Sequence, residues 1–142
     1  MSEKPLDLLL GLDAFIAITF GLLSGLWPVD VFGTIVQLQP TGQHTATIAA
    51  LTTVSLLTLL IGLVCLATLA LPNQQRRWLV LVFCVRHLSF GLKDLAEAGA
   101  DWQVGSPVPD LVIHSFFALA YAFFVVVLMR AHRRAAVQAH PR

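Results

Sequence analysis

Charge is what this 142-residue chain has least of. Lys, Arg, Asp and Glu make up 12% of it, against about a quarter of an ordinary soluble domain, while apolar residues make up 57%. So few polar groups cannot cover a water-facing surface, which excludes a soluble globular domain and predicts one membrane-embedded unit over residues 1–142. No basic stripe runs along a soluble fold, so nucleic acid is excluded as a partner. Cysteine is scarce as well. Cys65 and Cys84 both fall in apolar runs, where they read as small buried residues and not as a disulfide framework. There is also no internal repeat, no low-complexity stretch and no cofactor motif, and no cofactor is expected.

What the chain does have is four apolar segments, at about 6–27, 47–71, 78–98 and 109–130, with a basic tail over 131–142. The first is long enough at 1.5 Å per residue to cross about 30 Å of hydrocarbon, and it stops at Pro28. Asp7 and Asp13 interrupt it and no small-x-small cleavage site follows, so it reads as a retained span and not as a signal peptide. The second stops at Pro72, and its threonines and Ser55 are expected to bond back to their own helix carbonyls. Between these two, Pro28 to His44 alternates apolar and polar residues, the pattern of a short interfacial segment. The third is apolar only over its first eight residues and then becomes amphipathic. The fourth carries one His and one Tyr and closes on Arg130, Arg133 and Arg134.

Charge placement decides whether the third segment crosses. With four crossings and the N-terminus inside, Lys4, Arg76, Arg77, Arg130, Arg133, Arg134 and Arg142 all fall on the cytoplasmic side, and no Lys or Arg lies in an outer loop. Trp27 and Trp102 then sit at the outer boundary and Trp78 at the inner one, where amphipathic rings prefer to be. The predicted architecture is an all-α, polytopic antiparallel bundle of four transmembrane helices with both termini cytosolic. It would lie in the cytoplasmic membrane of a bacterium or the endoplasmic reticulum of a eukaryote.

Ionisable groups at bilayer depth cost at least about 2.5–3.5 kcal/mol each unless paired or hydrated, so those in the third segment point to a functional interior. Arg86, Phe90, Lys93 and Glu97 recur at steps of four, three and four, and His87, Gly91 and Asp94 form the adjacent row. Counting the helical rise places Asp13, Arg86 and Tyr121 at one level, about 12 Å from the inner boundary, where an arginine, a carboxylate and a phenol would form a structural polar layer. Lys93, Asp94 and His114 fall nearer the outer side. There an imidazole beside Asp94 or Glu97, with Lys93 adjacent, has the components of acid–base catalysis, and His87 is a candidate to orient them. His87 and His114 lack the spacing of a metal site, and no metal is expected. Ala14, Ala17, Gly21, Ser24 and Gly25 give the first helix a small-residue face, which serves either packing within the chain or a homodimer through Gly21 and Gly25.

The run FGLLSGLWPVDVFG (Phe20 to Gly33), an alanine-, leucine- and glycine-rich second helix, a late acidic residue on the third (Asp94) and an early His on the fourth (His114) together resemble the DoxX-like group of small four-helix membrane proteins. The chain lacks the Arg-Asp that members of the group often carry at the start of the second helix. The resemblance therefore implies architecture, four antiparallel helices with cytosolic termini, and no shared cofactor. Three functions fit the residues. The first is a membrane enzyme of isomerase or cyclase type acting on a lipophilic small molecule, with Phe90, Phe116 and Phe117 as its apolar surround. The second is a non-catalytic accessory or assembly subunit of a membrane complex. The third is a small transporter, disfavoured because no broken-helix repeat is present. Membrane lipid is an expected partner in each case.

Overall fold

In a computed structural model the described residues are 4–28, 31, 41–97 and 108–139, and they are helical apart from Trp27 and the turn at 69–72. They form α1 (Lys4–Leu26), a 3-10 turn (Thr41–Gln43), α2 (His44–Thr68), α3 (Asn73–Glu97) and α4 (Val108–Ala139). Three of the four helices, α1, α2 and α4, are long and apolar enough to cross a membrane. Long runs rich in leucine, alanine and other apolar residues give these helices their length, and prolines divide them: the Pro72 carbonyl accepts the Gln75 and Arg76 amides at 2.9 and 3.0 Å and so opens α3. The helix ends differ from the apolar boundaries. α2 stops at Thr68, short of Leu71, while α3 starts at Asn73 and takes Arg76 and Arg77 inside its first turns. α4 continues past Arg130 to Ala139, so most of the expected tail is helical. Apolarity marks where lipid can end; backbone hydrogen bonding marks where the helix ends, and the two need not coincide. The Pro28-to-His44 connection, Trp102 and the end of the basic tail lie largely outside the described residues.

The helices group into two compact units, Met1–Leu69 and Ala70–Arg142. The first is the α1–α2 pair. Asp13 Oδ2 accepts from Cys65 Sγ at 3.6 Å, an added methyl at Gly62 would meet Ile18 and one at Gly21 would meet Leu59, and Gly25 lies beside Ser55. Residue numbers rise along α1 as they fall along α2, so the pair is antiparallel. The contact face is the small-residue row read from the sequence: Ala14, Ala17, Gly21 and Ser24 are buried, and they face Ser55, Gly62 and Cys65. In lipid there is no hydrophobic drive between helices, so small residues that let backbones approach are what allow van der Waals contact to hold such a pair. The Gly21 part of that face is therefore occupied within the chain. As expected, Ser55 and Thr53, Thr58 and Thr68 donate to carbonyls four residues back, at 2.7–2.9 Å.

The second unit is the α3–α4 pair, antiparallel by the same criterion. Phe83 packs on Tyr121 with ring centroids 5.8 Å apart, Cys84 Sγ lies 3.5 Å from the Ala118 carbonyl, and a Cβ at Gly91 would touch His114 and Ser115. α3 is built inside out relative to a water-soluble helix. Its buried row is Arg76, Val80, Phe83, His87, Gly91 and Asp94, and its exposed row is Trp78, Val82, Val85, Leu88, Leu92 and Leu95. The other helices also present large apolar side chains outward, among them Leu8 at 75% and Leu119 at 74% exposure. Such a surface is an aggregation liability in water and a match for hydrocarbon.

Candidate functional site

The site is built in the α3–α4 pair from the row that α3 buries. Steps of four and three bring His87, Gly91 and Asp94 onto one face of the helix, and Gly91, lacking a side chain, leaves room for His114 opposite. On α4 the steps from His114 to Phe117 and Tyr121 put three rings on one face. The result is a stack. Phe90 lies against His114 with centroids 5.2 Å apart, His87 stacks on Phe117 at 4.8 Å and on Tyr121 at 5.8 Å, and Phe83 closes the far end on Tyr121.

Hydrogen bonding gives this stack a direction. Arg86 Nη1 lies 3.3 Å from His87 Nε2, and His87 Nδ1 lies 3.0 Å from His114 Nδ1. A guanidinium only donates, so His87 Nε2 accepts and carries no proton. The proton of His87 is then on Nδ1, which donates to His114 Nδ1, and His114 must carry its own proton on Nε2. Donors that polarise one another in sequence strengthen the last of them. The chain Arg86 to His87 to His114 therefore ends in an N–H donor on a half-buried imidazole, beside a Phe90 ring that is 44% exposed on the outer surface of the pair.

Asp94 supplies the complementary acceptor. Its side chain is 9% exposed; Oδ1 lies 3.9 Å from Lys93 Nζ, while Oδ2 is buried without a hydrogen-bond partner. Asp94, Asp110, Arg86 and His87 all lie within electrostatic range of His114. An orphaned carboxylate oxygen in a low-dielectric interior costs about 1–3 kcal/mol or more, so it is the group with most to gain from a ligand's O–H, N–H or acidic C–H.

The expected residues are thus placed as follows. His114 hydrogen-bonds His87 and not Asp94, and His87, read from sequence as a supporting residue, is the central member of the chain. Lys93 extends outward with its side chain 57% exposed, as counter-charge to Asp94. The Glu97 side chain lies outside the described residues. Of the expected structural layer, Arg86 and Tyr121 belong to the α3–α4 pair, where Tyr121 is fully buried and Arg86 also sits over the Phe90 ring at 5.9 Å. Asp13 belongs to the α1–α2 pair, with Cys65 as a partner the sequence did not suggest. The missed role of His87 had a signal: it shares its row with Val80, Phe83, Gly91 and Asp94, the row a packed helix turns inward. Both cysteines are free thiols, and among the described residues no three His, Cys, Asp or Glu gather as a metal site requires.

The chain matches no family model, no curated protein and no solved structure.

Proposed function

We propose that the chain is a multi-pass membrane enzyme that moves a proton within a lipophilic small molecule, an isomerase- or cyclase-type reaction needing no cofactor. The carrying observation is the pairing of a directed donor with an orphaned acceptor: His114 Nε2–H at the end of the Arg86–His87 chain, and Asp94 Oδ2 without a partner. Two such groups suit a carbon acid beside a carbonyl. Asp94 Oδ2 takes the proton from the carbon, the electron pair moves toward the carbonyl oxygen, and His114 Nε2–H bonds that oxygen as its charge grows. The same proton is returned to a different carbon as the carbonyl re-forms. Atoms and electrons balance without an oxidant or reductant. A neutral imidazole is the better electrophile here, because it stabilises the developing charge without first giving up its proton. Lys93 balances the carboxylate, and Glu97, four residues beyond it, is proposed to tune it.

Four crossings with both termini cytosolic, the architecture the DoxX-like resemblance implies, complete the reading. The inside-out pattern of α3 supports a lipid-facing position for a helix whose average composition is too polar to suggest one. Phe90 and Phe116, exposed on the outer surface of the pair, would admit a substrate laterally from the bilayer.

One observation favours a second reading, a non-catalytic subunit: a ring stack with a hydrogen-bonded Arg–His–His chain is also what a rigid structural core would contain. His114→Gln and Asp94→Asn keep size and some hydrogen bonding, so they separate the two. In lipid extracts of a deletion strain complemented with each variant, product formation should fall about a hundredfold or more, with protein level and detergent melting unchanged. Product levels equal to wild type, or a loss only in proportion to lost protein, would sink the enzyme reading in favour of the subunit.

A further inference from the structure

We propose that Phe90 is a positioning residue: its ring holds both ends of the Arg86–His87–His114 chain and thereby aims the His114 Nε2–H donor. The catalytic part of that role rests on the proton-transfer reading, whereas the orientation of His114 does not. Phe90 follows Arg86 by four residues, so the two side chains are neighbours on one side of α3, and Arg86 Cζ lies 5.9 Å from the centroid of the Phe90 ring. The same ring lies 5.2 Å from the His114 ring, with the two planes 20° apart. Arg86 meets His87 at 3.3 Å and His87 meets His114 at 3.0 Å, so the contacts close a circuit from Arg86 through His87, His114 and Phe90 back to Arg86.

A hydrogen bond alone does not aim an imidazole. The bond to His87 fixes which edge of the His114 ring faces α3, but the torsion about Cβ–Cγ is broad for histidine, and the ring can swing about a single bonded nitrogen. A second contact away from that nitrogen is needed to fix the plane in which Nε2–H points. α3 has no side chain at 91, where a Cβ would lie 3.7 Å from the His114 Cβ, so the contact comes from the position before it, Phe90. At the other end of the chain the guanidinium is attracted to the face of the same ring, which keeps Nη1 directed at His87 Nε2. Each ring contact is worth about two- to tenfold in an equilibrium. The alternative is a ring that merely faces lipid. Lipid asks only for apolar bulk, which Leu88 and Leu92 supply at neighbouring exposed positions, and Phe90 differs from them in touching a cation and an imidazole at once.

Phe90→Leu keeps apolar bulk and removes both ring contacts, and Phe90→Tyr keeps them. In the full chain, labelled with ¹⁵N-histidine and held in micelles, the ¹⁵N–¹⁵N coupling across the His87–His114 hydrogen bond reports the orientation. It should be present in the parent, lost in Phe90→Leu and restored in Phe90→Tyr, with the same helical circular dichroism in all three. Should Phe90→Leu lose that helical signal, Phe90→Met replaces it, with the same result expected. Catalysis is read on a probe, 2-tetralone, a lipophilic ketone with acidic C–H bonds beside its carbonyl, whose exchange of those hydrogens in heavy water is followed by mass spectrometry. Phe90→Leu should lower kcat about tenfold and leave KM within about twofold, and Phe90→Tyr should recover the rate. A parent that leaves 2-tetralone unexchanged yet shows the ring-dependent coupling would support the orienting role while telling against proton transfer. A coupling unchanged in Phe90→Leu, equal loss in Phe90→Leu and Phe90→Tyr, or a raised KM at unchanged kcat would overturn the proposal.

Discussion

Gly21→Ala tests how the first helix pair is held together. A Cβ at Gly21 would lie 2.6 Å from the Leu59 amide nitrogen and 2.8 Å from its Cα, both backbone atoms that cannot rotate away. Ordinary contact needs about 3.5–4.0 Å, so the helices would have to separate by roughly 1 Å at that level. Ser24 and Ala17, which pack on the same face, would lose contact with it. Overpacking of this kind costs about 1–3 kcal/mol, and in lipid little else opposes separation, because interhelical contact is itself the stabilising term. Gly62→Ala should behave alike, since its Cβ would meet Ile18 Cγ1 at 2.7 Å and the Ile18 nitrogen at 2.9 Å. Two other glycines provide controls on the same helix. Nothing lies within 4 Å of a Cβ at Gly11, and at Gly25 only Ser55 Cβ does, at 3.7 Å. Alanine there should be neutral or stabilising by up to about 1 kcal/mol through helix propensity. The assay is unfolding in mild detergent by titration with dodecyl sulfate, followed by circular dichroism and by energy transfer between labels on α1 and α2. Midpoints for Gly21→Ala and Gly62→Ala should fall while those for Gly11→Ala and Gly25→Ala hold or rise. If Gly21→Ala tracked Gly11→Ala, the close backbone approach would be refuted.

Topology follows from charge: with Cys65 and Cys84 replaced by alanine, cysteines at Gln74 and Ala136 should react with an impermeant maleimide only from the cytoplasmic side and one at Gly105 only from the other, so labelling of Gly105 and Ala136 from one side would remove the four-crossing scheme. The outward row of α3 should behave as a lipid face: Leu92→Lys is expected to cost insertion about 2.5–3.5 kcal/mol, read as the fraction resistant to alkaline extraction, whereas Gln75→Lys should cost nothing; equal insertion of both would mean that α3 does not sit in lipid. The direction of the histidine chain is open to ¹⁵N NMR in micelles. His87 should carry its proton on Nδ1 and His114 on Nε2, and Arg86→Leu should release that assignment in both rings; an unprotonated Nδ1 on His87 in the parent would reverse the chain.

Much of the fold was legible because lipid imposes a simple rule on sequence: satisfy the backbone internally and turn apolar side chains outward. That rule locates α1, α2 and α4 from hydropathy, and the small residues from Ala14 to Ser24 then mark which side of α1 meets a partner. Register was less accessible. Rise per residue from an assumed boundary places His114 level with Lys93 and Asp94, while the actual pairing sets it against His87 and Gly91, about one turn away. The error comes from the ends. α3 begins at Asn73 and not at Trp78, and α4 at Val108, so a depth counted from an apolar edge inherits that edge's offset. Side-chain partners depend on a few ångströms and are lost within such an offset; helix identity is not.

α3 shows why average hydropathy and burial pattern must be read separately. By composition it falls outside the helices apolar enough to cross a membrane. Three of its polar residues, Arg76, His87 and Asp94, nevertheless share the buried row, while Val82, Val85, Leu88, Leu92 and Leu95 are exposed along with Ser89 and Lys93. A water-soluble amphipathic helix places these two classes the other way round. Turning polar groups inward is costly unless each meets a partner, and α3 answers that cost in order along the row, with the ring stack and histidine chain at His87, a glycine gap at 91 and an incompletely satisfied carboxylate at Asp94. Packing alone would have been served better by leucine at 87 and 94, since an apolar core of the same volume leaves no acceptor orphaned. Asp94 breaks the local rule with only a 3.9 Å ion pair from Oδ1 to Lys93 and no hydrogen bond to Oδ2, and it is the residue through which the proposed chemistry runs.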